Sequence, residues 1–289
     1  MIIDAHQHIW DLEKADYPWL GPGLAAINRT MEFEELAPAL EARGISGSVL
    51  VQAADNAEDT DLVLDAAGRH SQVVAVVGWA PLDRPDEVPE RLEYLAAAPV
   101  VRGIRTLFHA RPRSWATSAE VDRSIGLVAD AGLSLDFVTA DPEALADLPG
   151  IGERHPTLRI AIDHLGKPPI GGTRAQRAHW RGLLADCAAN PLIFAKVSGL
   201  YSSVGELSSW TTDGVRPFVD DAIELFGVER LMYGGDWPIS ELAGGYARTW
   251  AAVEALLAPL GASERAEVLG ETALRFYRPD QPLPNTSHV

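Results

Sequence analysis

The run Val73-Val74-Ala75-Val76-Val77-Gly78-Trp79-Ala80-Pro81-Leu82 is apolar at consecutive positions rather than alternate ones. A strand covered on both faces reads this way, so the run points to a parallel sheet packed between helices. Its length is about half of what a membrane span requires. Seven segments of the same kind accompany it: Ile2–His8, Gly47–Gln52, Val101–Phe108, Leu133–Thr139, Arg159–Leu165, Ile193–Leu200 and Arg230–Asp236. Stretches of helical spacing lie between them. Thr117 and Glu120 have capping-box spacing before Val121, Ile125 and Val128, and Ala131-Gly132 closes that helix. A helix over Glu32–Arg43 stops at Gly44, and one over Ser263–Tyr277 stops before Pro279. Strand and helix alternating eight times predict an α/β fold, a single-domain (β/α)8 TIM barrel over 1–279, with 280–289 as a flexible tail. A doubly wound open sheet shares that alternation, but eight units without a Gly-rich phosphate turn favour closure. The segment Ile9–Thr30, with Trp10, Tyr17, Pro18 and Trp19, is too long for a helix connection and is expected to form an ordered flap over the first strand's exit.

The 289 residues include 41 acidic and 24 basic side chains, a net charge of −17. No basic stripe survives that balance, which argues against nucleic acid and anionic membranes as partners. The oligomeric state is left open. A lone cysteine, Cys187, excludes a disulfide framework and a Cys-based zinc site. It is expected to be a buried small residue in a helix, in a protein of the reducing cytoplasm. No basic region precedes an apolar run at the N-terminus, so no signal peptide is expected.

In a barrel of this kind the chemistry sits at the C-terminal ends of the strands. The first strand ends Asp4-Ala5-His6-Gln7-His8, and a period of two places His6 and His8 on one face with Asp4 one step below. Two imidazoles in one barrel mouth can hold a metal or hydrogen-bond an oxyanion. The sixth segment ends Asp163-His164-Leu165-Gly166, which sets a histidine at a strand exit. The eighth ends Gly234-Gly235-Asp236-Trp237-Pro238, which sets a carboxylate where a general base would stand. Gln52, Arg105 and Lys196 fall near other exits. Lys196 in an apolar strand needs a partner, either in the polar upper barrel or in an ion pair with a carboxylate such as Asp163. Trp79 and Trp237 are candidates for an apolar wall or for plain core. His109 follows the fourth strand without an evident role.

These residues carry a resemblance. Asp4-Ala-His-Gln-His8-Ile-Trp10, Tyr17-Pro-Trp-Leu20, Gly78-Trp-Ala-Pro-Leu82, Val101-Arg-Gly-Ile-Arg105, Asp163-His-Leu-Gly-Lys-Pro168, Lys196-Val-Ser-Gly-Leu200 and Tyr233-Gly-Gly-Asp-Trp-Pro238 occur in this order. Together they resemble the amidohydrolase superfamily (amidohydrolase 2 type). Within it they resemble the sugar-lactone hydrolase branch of L-fuconolactonases, L-rhamnonolactonases and 2-pyrone-4,6-dicarboxylate lactonases. The resemblance implies hydrolysis of a small cyclic ester, an L-fucono-, L-rhamnono- or L-galactonolactone for example. It places Asp236, His164, His6 and His8 at the reacting centre, with Arg105, Gln52, Trp10, Tyr17, Trp79, Lys196 and Trp237 around the substrate.

Two departures bear on metal. Strand five ends Phe137-Val138-Thr139 without a histidine, and strand four carries arginines where binuclear members carry a carboxylated lysine. Any metal is therefore expected to be one weakly held divalent ion, zinc by its ligand types, at His6, His8 and Asp236 with His164, and dispensable. Thr272, where relatives often carry asparagine, is expected to bear on packing alone. Two alternatives stand beside the lactonase: a metal-dependent decarboxylase of an aromatic or unsaturated acid, and a non-catalytic binder of small molecules.

Overall fold

The structure is a computed structural model that describes residues 1–278. Eight parallel strands pair in sequence order: β1 (Ile2–Gln7), β2 (Ile45–Val51), β3 (Val73–Gly78), β4 (Val101–Thr106), β5 (Ser134–Phe137), β6 (Ile160–Ile162), β7 (Ile193–Val197) and β8 (Leu231–Tyr233). The sheet closes on itself where Asp236 N donates to His6 O at 2.8 Å and His8 N donates to Trp237 O at 2.7 Å. This is the expected (β/α)8 barrel. The tail expected over 280–289 lies outside the described residues.

Helices cover the outside, each beginning where its sequence supplies a cap. Asn56, Thr173 and Thr211 accept the backbone N–H groups that open Ala57–Arg69, Arg174–Ala188 and Thr212–Phe226. The cap of Ala119–Asp130 differs from the expectation. Ser118, not Thr117, accepts from Val121 N, because Thr117 closes the preceding short helix Arg113–Ala116. Cys187 is buried in Arg174–Ala188, as expected. No helix among the described residues is long and apolar enough to cross a membrane.

Inside the barrel, Ile3, Ala5, Val49, Val51, Ala75, Val77, Ala161 and Met232 form an apolar plug. The last helix, Thr272–Tyr277, seals it from below with Phe276 and Tyr277. Thr272 is buried and donates to Val228 O at 3.3 Å, a packing contact as expected. The hydrogen-bonded ladders stop two or three residues before the sequence segments do, at Phe137, Ile162, Val197 and Tyr233. The polar residues of those segments therefore sit on turns above the strands.

Register shifts occur between β1 and β2, β2 and β3, and β3 and β4, and the one in β1 bears on the site. A register shift between Asp4 and Gln7 marks a β-bulge in β1. Ile3 and Ala5 face the barrel interior, and beyond the bulge His6 and His8 do as well. Asp4 consequently does not lie beneath the histidines. It turns outward, accepting from Tyr246 Oη at 2.6 Å and Gly235 N at 2.8 Å. Bulges re-aim side chains in this way beside functional sites.

Candidate active site

Asp236 stands at the centre of the barrel mouth. Its backbone has φ 53°, a left-handed conformation that a non-glycine residue adopts at a cost of about 1–3 kcal/mol. The surroundings enforce it: Gly235 N donates to Asp4 Oδ1, Asp236 N to His6 O, and Trp237 N to Gln7 Oε1. The exit of β8 is thus stitched to the side chains and backbone of β1. The carboxylate has two differentiated oxygens. Oδ2 accepts from Tyr201 Oη at 2.8 Å, and Oδ1 lies 3.6 Å from His8 Nε2 and 3.8 Å from His6 Nε2. Burial opposes its ionisation, but His164, His8 and His6 outweigh that cost and hold the carboxyl below the usual range.

His164 has the same left-handed backbone, φ 56°, and its Nδ1 meets Ser198 Oγ at 2.9 Å. Gly199 lets these residues approach: a Cβ there would sit 2.5 Å from both Asp236 Oδ2 and His164 Nδ1. His6 packs edge-on against His8 and His164, with ring centroids 4.8 and 4.7 Å apart. Burial lowers the pKa of His8 and drives that of His6 well down. His8 Nδ1 faces Val51 O at 2.7 Å.

A fully buried charged layer lies directly below. Lys196 Nζ reaches Asp136 Oδ2 at 2.5 Å, Asp163 Oδ1 at 3.0 Å and His6 Nδ1 at 3.1 Å. Tyr277 donates to Asp136 Oδ2 at 2.7 Å, and Arg105 Nη1 donates to Asp163 Oδ2 at 3.1 Å. Burial pushes Asp136 up despite Lys196. At Asp163 burial is overcome by Lys196 and His6, which hold it well below the carboxylate range.

Above Asp236 opens a cavity of about 240 Å³. His8, Arg105, His164 and Asp236 line it, as the sequence suggests, together with Trp19, His109, Lys167 and Ile239. The other sequence candidates lie elsewhere. Lys196 is sealed beneath the cavity in the ion pair with Asp163, and Gln52 is buried, bonding Arg105 O through Nε2 at 3.0 Å. Trp10 is buried in the flap, where its Nε1 donates to Arg29 O at 2.7 Å. Tyr17 and Trp237 are buried, and Trp79 is half-buried away from the cavity wall. Within the flap it is Trp19 that reaches the cavity, its Nε1 held by Ala53 O at 2.8 Å. Tyr201 was not singled out from the sequence. Its signal is an aromatic hydroxyl two residues after the Gly199 turn.

The donor set suits a single divalent ion. His6, His164 and Asp236 offer ligand atoms within 4.8 Å of one another, and His8 Nε2 lies 3.1 Å from His6 Nε2. Nitrogen and carboxylate donors from three strands, with no fifth-strand histidine, describe an open zinc-type site.

The amidohydrolase family model matches residues 3–278, and the chain belongs to that family of hydrolases. It is 36% identical over 285 residues to an L-fucono-1,5-lactonase of Burkholderia ambifaria, covering 97% of this chain and 96% of that one. An L-fucono-1,5-lactonase of Burkholderia multivorans is 30% identical over 289 residues, with 97% of each chain covered. A crystal structure of an amidohydrolase from Burkholderia multivorans with bound zinc superposes with a TM-score of 0.89 at 30% identity, covering 96% of this chain and 99% of that one.

Proposed function

We propose that the protein hydrolyses a small sugar lactone, of the L-fucono-, L-rhamnono- or L-galactonolactone type, with water activated by Asp236. The observation that carries this reading is Asp236 itself: an ionised carboxylate, fixed through Oδ2 by Tyr201 and presented to a cavity sized for one small ring. The full-length likeness to two L-fucono-1,5-lactonases supports the substrate class.

In this mechanism Asp236 takes a proton from water as the oxygen adds to the lactone carbonyl. Negative charge develops on the carbonyl oxygen, where His164, His8 and the Arg105 guanidinium line the cavity and fully buried His6 packs behind the two histidines. Where the Ser198 hydroxyl donates to His164 Nδ1, the ring carries a proton on Nε2 that it can give. Collapse of the tetrahedral centre breaks the ring C–O bond, and the ring oxygen takes a proton from His164 or from a water. The product is an open-chain hydroxy acid. A divalent ion held by His6, His8, His164 and Asp236 would supply Lewis acidity at the carbonyl oxygen. The Arg105 guanidinium supplies a donor there without one.

The test is a panel of aldonolactones assayed with a pH indicator, on enzyme dialysed against chelator and on enzyme resupplied with zinc. Acid release from at least one lactone, retained after chelation, is expected. Inactivity on the panel combined with carbon dioxide release from aromatic acids would favour the decarboxylase instead.

A further inference from the structure

The turn after β6 is wound against the preference of L-amino acids. His164, Leu165, Gly166 and Lys167 have φ of 56°, 53°, 67° and 62°, four left-handed residues in succession. Glycine adopts that region freely, and other residues enter it singly. Such a run persists where the surroundings hold it, most often at functional positions. Lys167 N donates to His164 O at 3.2 Å, which closes a tight turn, and side chains three apart then share a face. His164 and Lys167 accordingly both line the cavity. His164 serves the hydrolysis, which leaves the use of Lys167 unaccounted for.

The Lys167 ammonium is held from one side. Its hydrogen bonds among the described residues go to Ser202 O and, at 3.3 Å, to Ser202 Oγ, and it forms no ion pair among them. An ammonium has three protons to give, so one is left without an acceptor. Ser202 follows Tyr201, whose hydroxyl holds Asp236 Oδ2 at 2.8 Å, so the turn Leu200–Ser203 sets both the carboxylate and the ammonium. Burial disfavours the charge on Lys167, and Asp236 is the carboxylate that supports it. Arg105, the other fixed cation of the cavity, already meets Asp163 Oδ2 at 3.1 Å. Among the described residues Asp236 is the sole acidic group lining the cavity. An ammonium without an ion-pair partner there, in a chain of net charge −17, suits an incoming anion.

We propose that Lys167 binds the carboxylate that ring opening creates, which makes the cavity a receptor for the open-chain hydroxy acid as well as for the lactone. The inference rests on the proposed hydrolysis for the identity of that acid. One proton of the attacking water goes to Asp236 and on to the group that protonates the ring oxygen. The other leaves the new carboxylic acid for solvent. The product carboxylate then stands beside an Asp236 that is ionised again, and like charges at that range repel. Lys167, with a proton to give and no anion of its own, offsets the repulsion with a charge-assisted hydrogen bond.

Calorimetric titration of acids against matched neutral polyols tests this without turnover. L-Fuconate, L-rhamnonate and L-galactonate are titrated into wild type, Lys167→Met and Lys167→Gln, beside the alditols that carry a hydroxymethyl group in place of the carboxylate. Wild type should bind at least one acid more tightly than its alditol. Both variants should bind that acid about 10–100-fold more weakly, the range of one hydrogen bond to a charged group, with alditol affinity unchanged. Arg105, and any ion at Asp236, are common to all three proteins, so the difference belongs to Lys167. Glutamine keeps a donor for Ser202 O, and Lys167→Gln decides alone should Lys167→Met not fold. Four results would overturn the proposal: no acid bound by wild type, acid and alditol bound equally, acid affinity unaltered in a folded variant, or an equal loss of both ligands. The lactonase reading fails separately. Acid held through Lys167 by a protein that opens no lactone would keep the carboxylate site and remove the hydrolysis; turnover with acid binding indifferent to Lys167 would do the reverse.

Discussion

The lower and upper halves of the barrel are built from the same eight strands and bury opposite things. Below, Ile3, Val49, Ala75, Val77 and Met232 interlock as a dry plug. Further along, the strands and the turns that follow them bury Arg105, Asp136, Asp163, Lys196, His6 and Asp236. Taking each charged member of that set out of water costs several kcal/mol before pairing returns part of it. Left-handed backbone at His164 and Asp236 adds to the cost. The upper half is therefore a stressed arrangement carried by the lower one. Changes above should act on turnover more than on the melt, and changes below should do the reverse.

Asp236→Asn gives the largest expected effect. Asparagine keeps the shape and an oxygen but takes no proton from water, so kcat should fall about 10²–10⁴-fold with little shift in melting temperature. Near-normal kcat would remove Asp236 from the mechanism, and a collapsed melt would make its role structural. The complementary change below is Met232→Ala. It opens a cavity in the plug and should cost about 2–5 kcal/mol in denaturant titrations, while kcat per folded molecule stays close to wild type. A large loss of kcat there would erase the division between the halves.

A pH titration sharpens the comparison, because one buried carboxylate near the barrel mouth lacks an ion-pair partner among the described residues. Asp59 accepts from Ala53 N at 3.0 Å through Oδ2, and its Oδ1 has no hydrogen bond. Burial is the chief cause that raises its pKa to about 7. A raised folded pKa means that the unfolded chain releases this proton near pH 4, while the folded protein keeps it until about pH 7. Its contribution to stability is thus fully present below pH 4 and lost as pH rises through about 7, on the order of a few kcal/mol at most. Asp59→Asn should flatten the stability-against-pH curve in that window, and an unaltered slope would show the carboxyl to be ionised throughout. Tyr201→Phe is milder. It deletes one hydrogen bond to the Asp236 carboxylate and should lower kcat by about tenfold, the equivalent of one net hydrogen bond to a charged group, with the fold intact. An unchanged kcat would mean that Oδ2 needs no anchor.

The division between halves also explains what could be read from the sequence. The barrel was legible because each strand is a continuous apolar run, and His6, His8, His164 and Asp236 were legible because they follow such runs directly. Asp4 was misplaced because period two fails at a bulge, and nothing in Ile2-Ile3-Asp4-Ala5-His6 announces one. Lys196 was drawn towards the substrate because a lone charge in an apolar strand suggests a polar mouth. Its partners Asp136, Asp163 and Tyr277 come from three distant segments that only closure of the barrel brings together. In the flap, Trp10, Tyr17 and Trp19 are alike in composition. Only the chain path, with Trp10 bridged to Met31, decides which of them is core and which meets the cavity.

That last distinction yields the smallest expected effect. Trp19 presents its ring to the cavity while its Nε1 donates to Ala53 O at 2.8 Å, a tether between the flap and the exit of β2. Trp19→Phe keeps an aromatic wall but cuts the tether. The flap should then sample more positions, and the substrate must bear the cost of ordering it. One neutral hydrogen bond is worth about 1 kcal/mol net, so KM should rise by about fivefold while kcat, set by groups on the barrel rim, stays near wild type. Trp10→Phe offers the contrast, since Trp10 is fully buried and its Nε1 holds the flap's own backbone at Ile27 and Arg29. Its loss should appear in the melt and leave KM nearly unaltered. If the two variants exchanged these effects, the flap residue facing substrate would be Trp10, and the cavity wall would have to be redrawn.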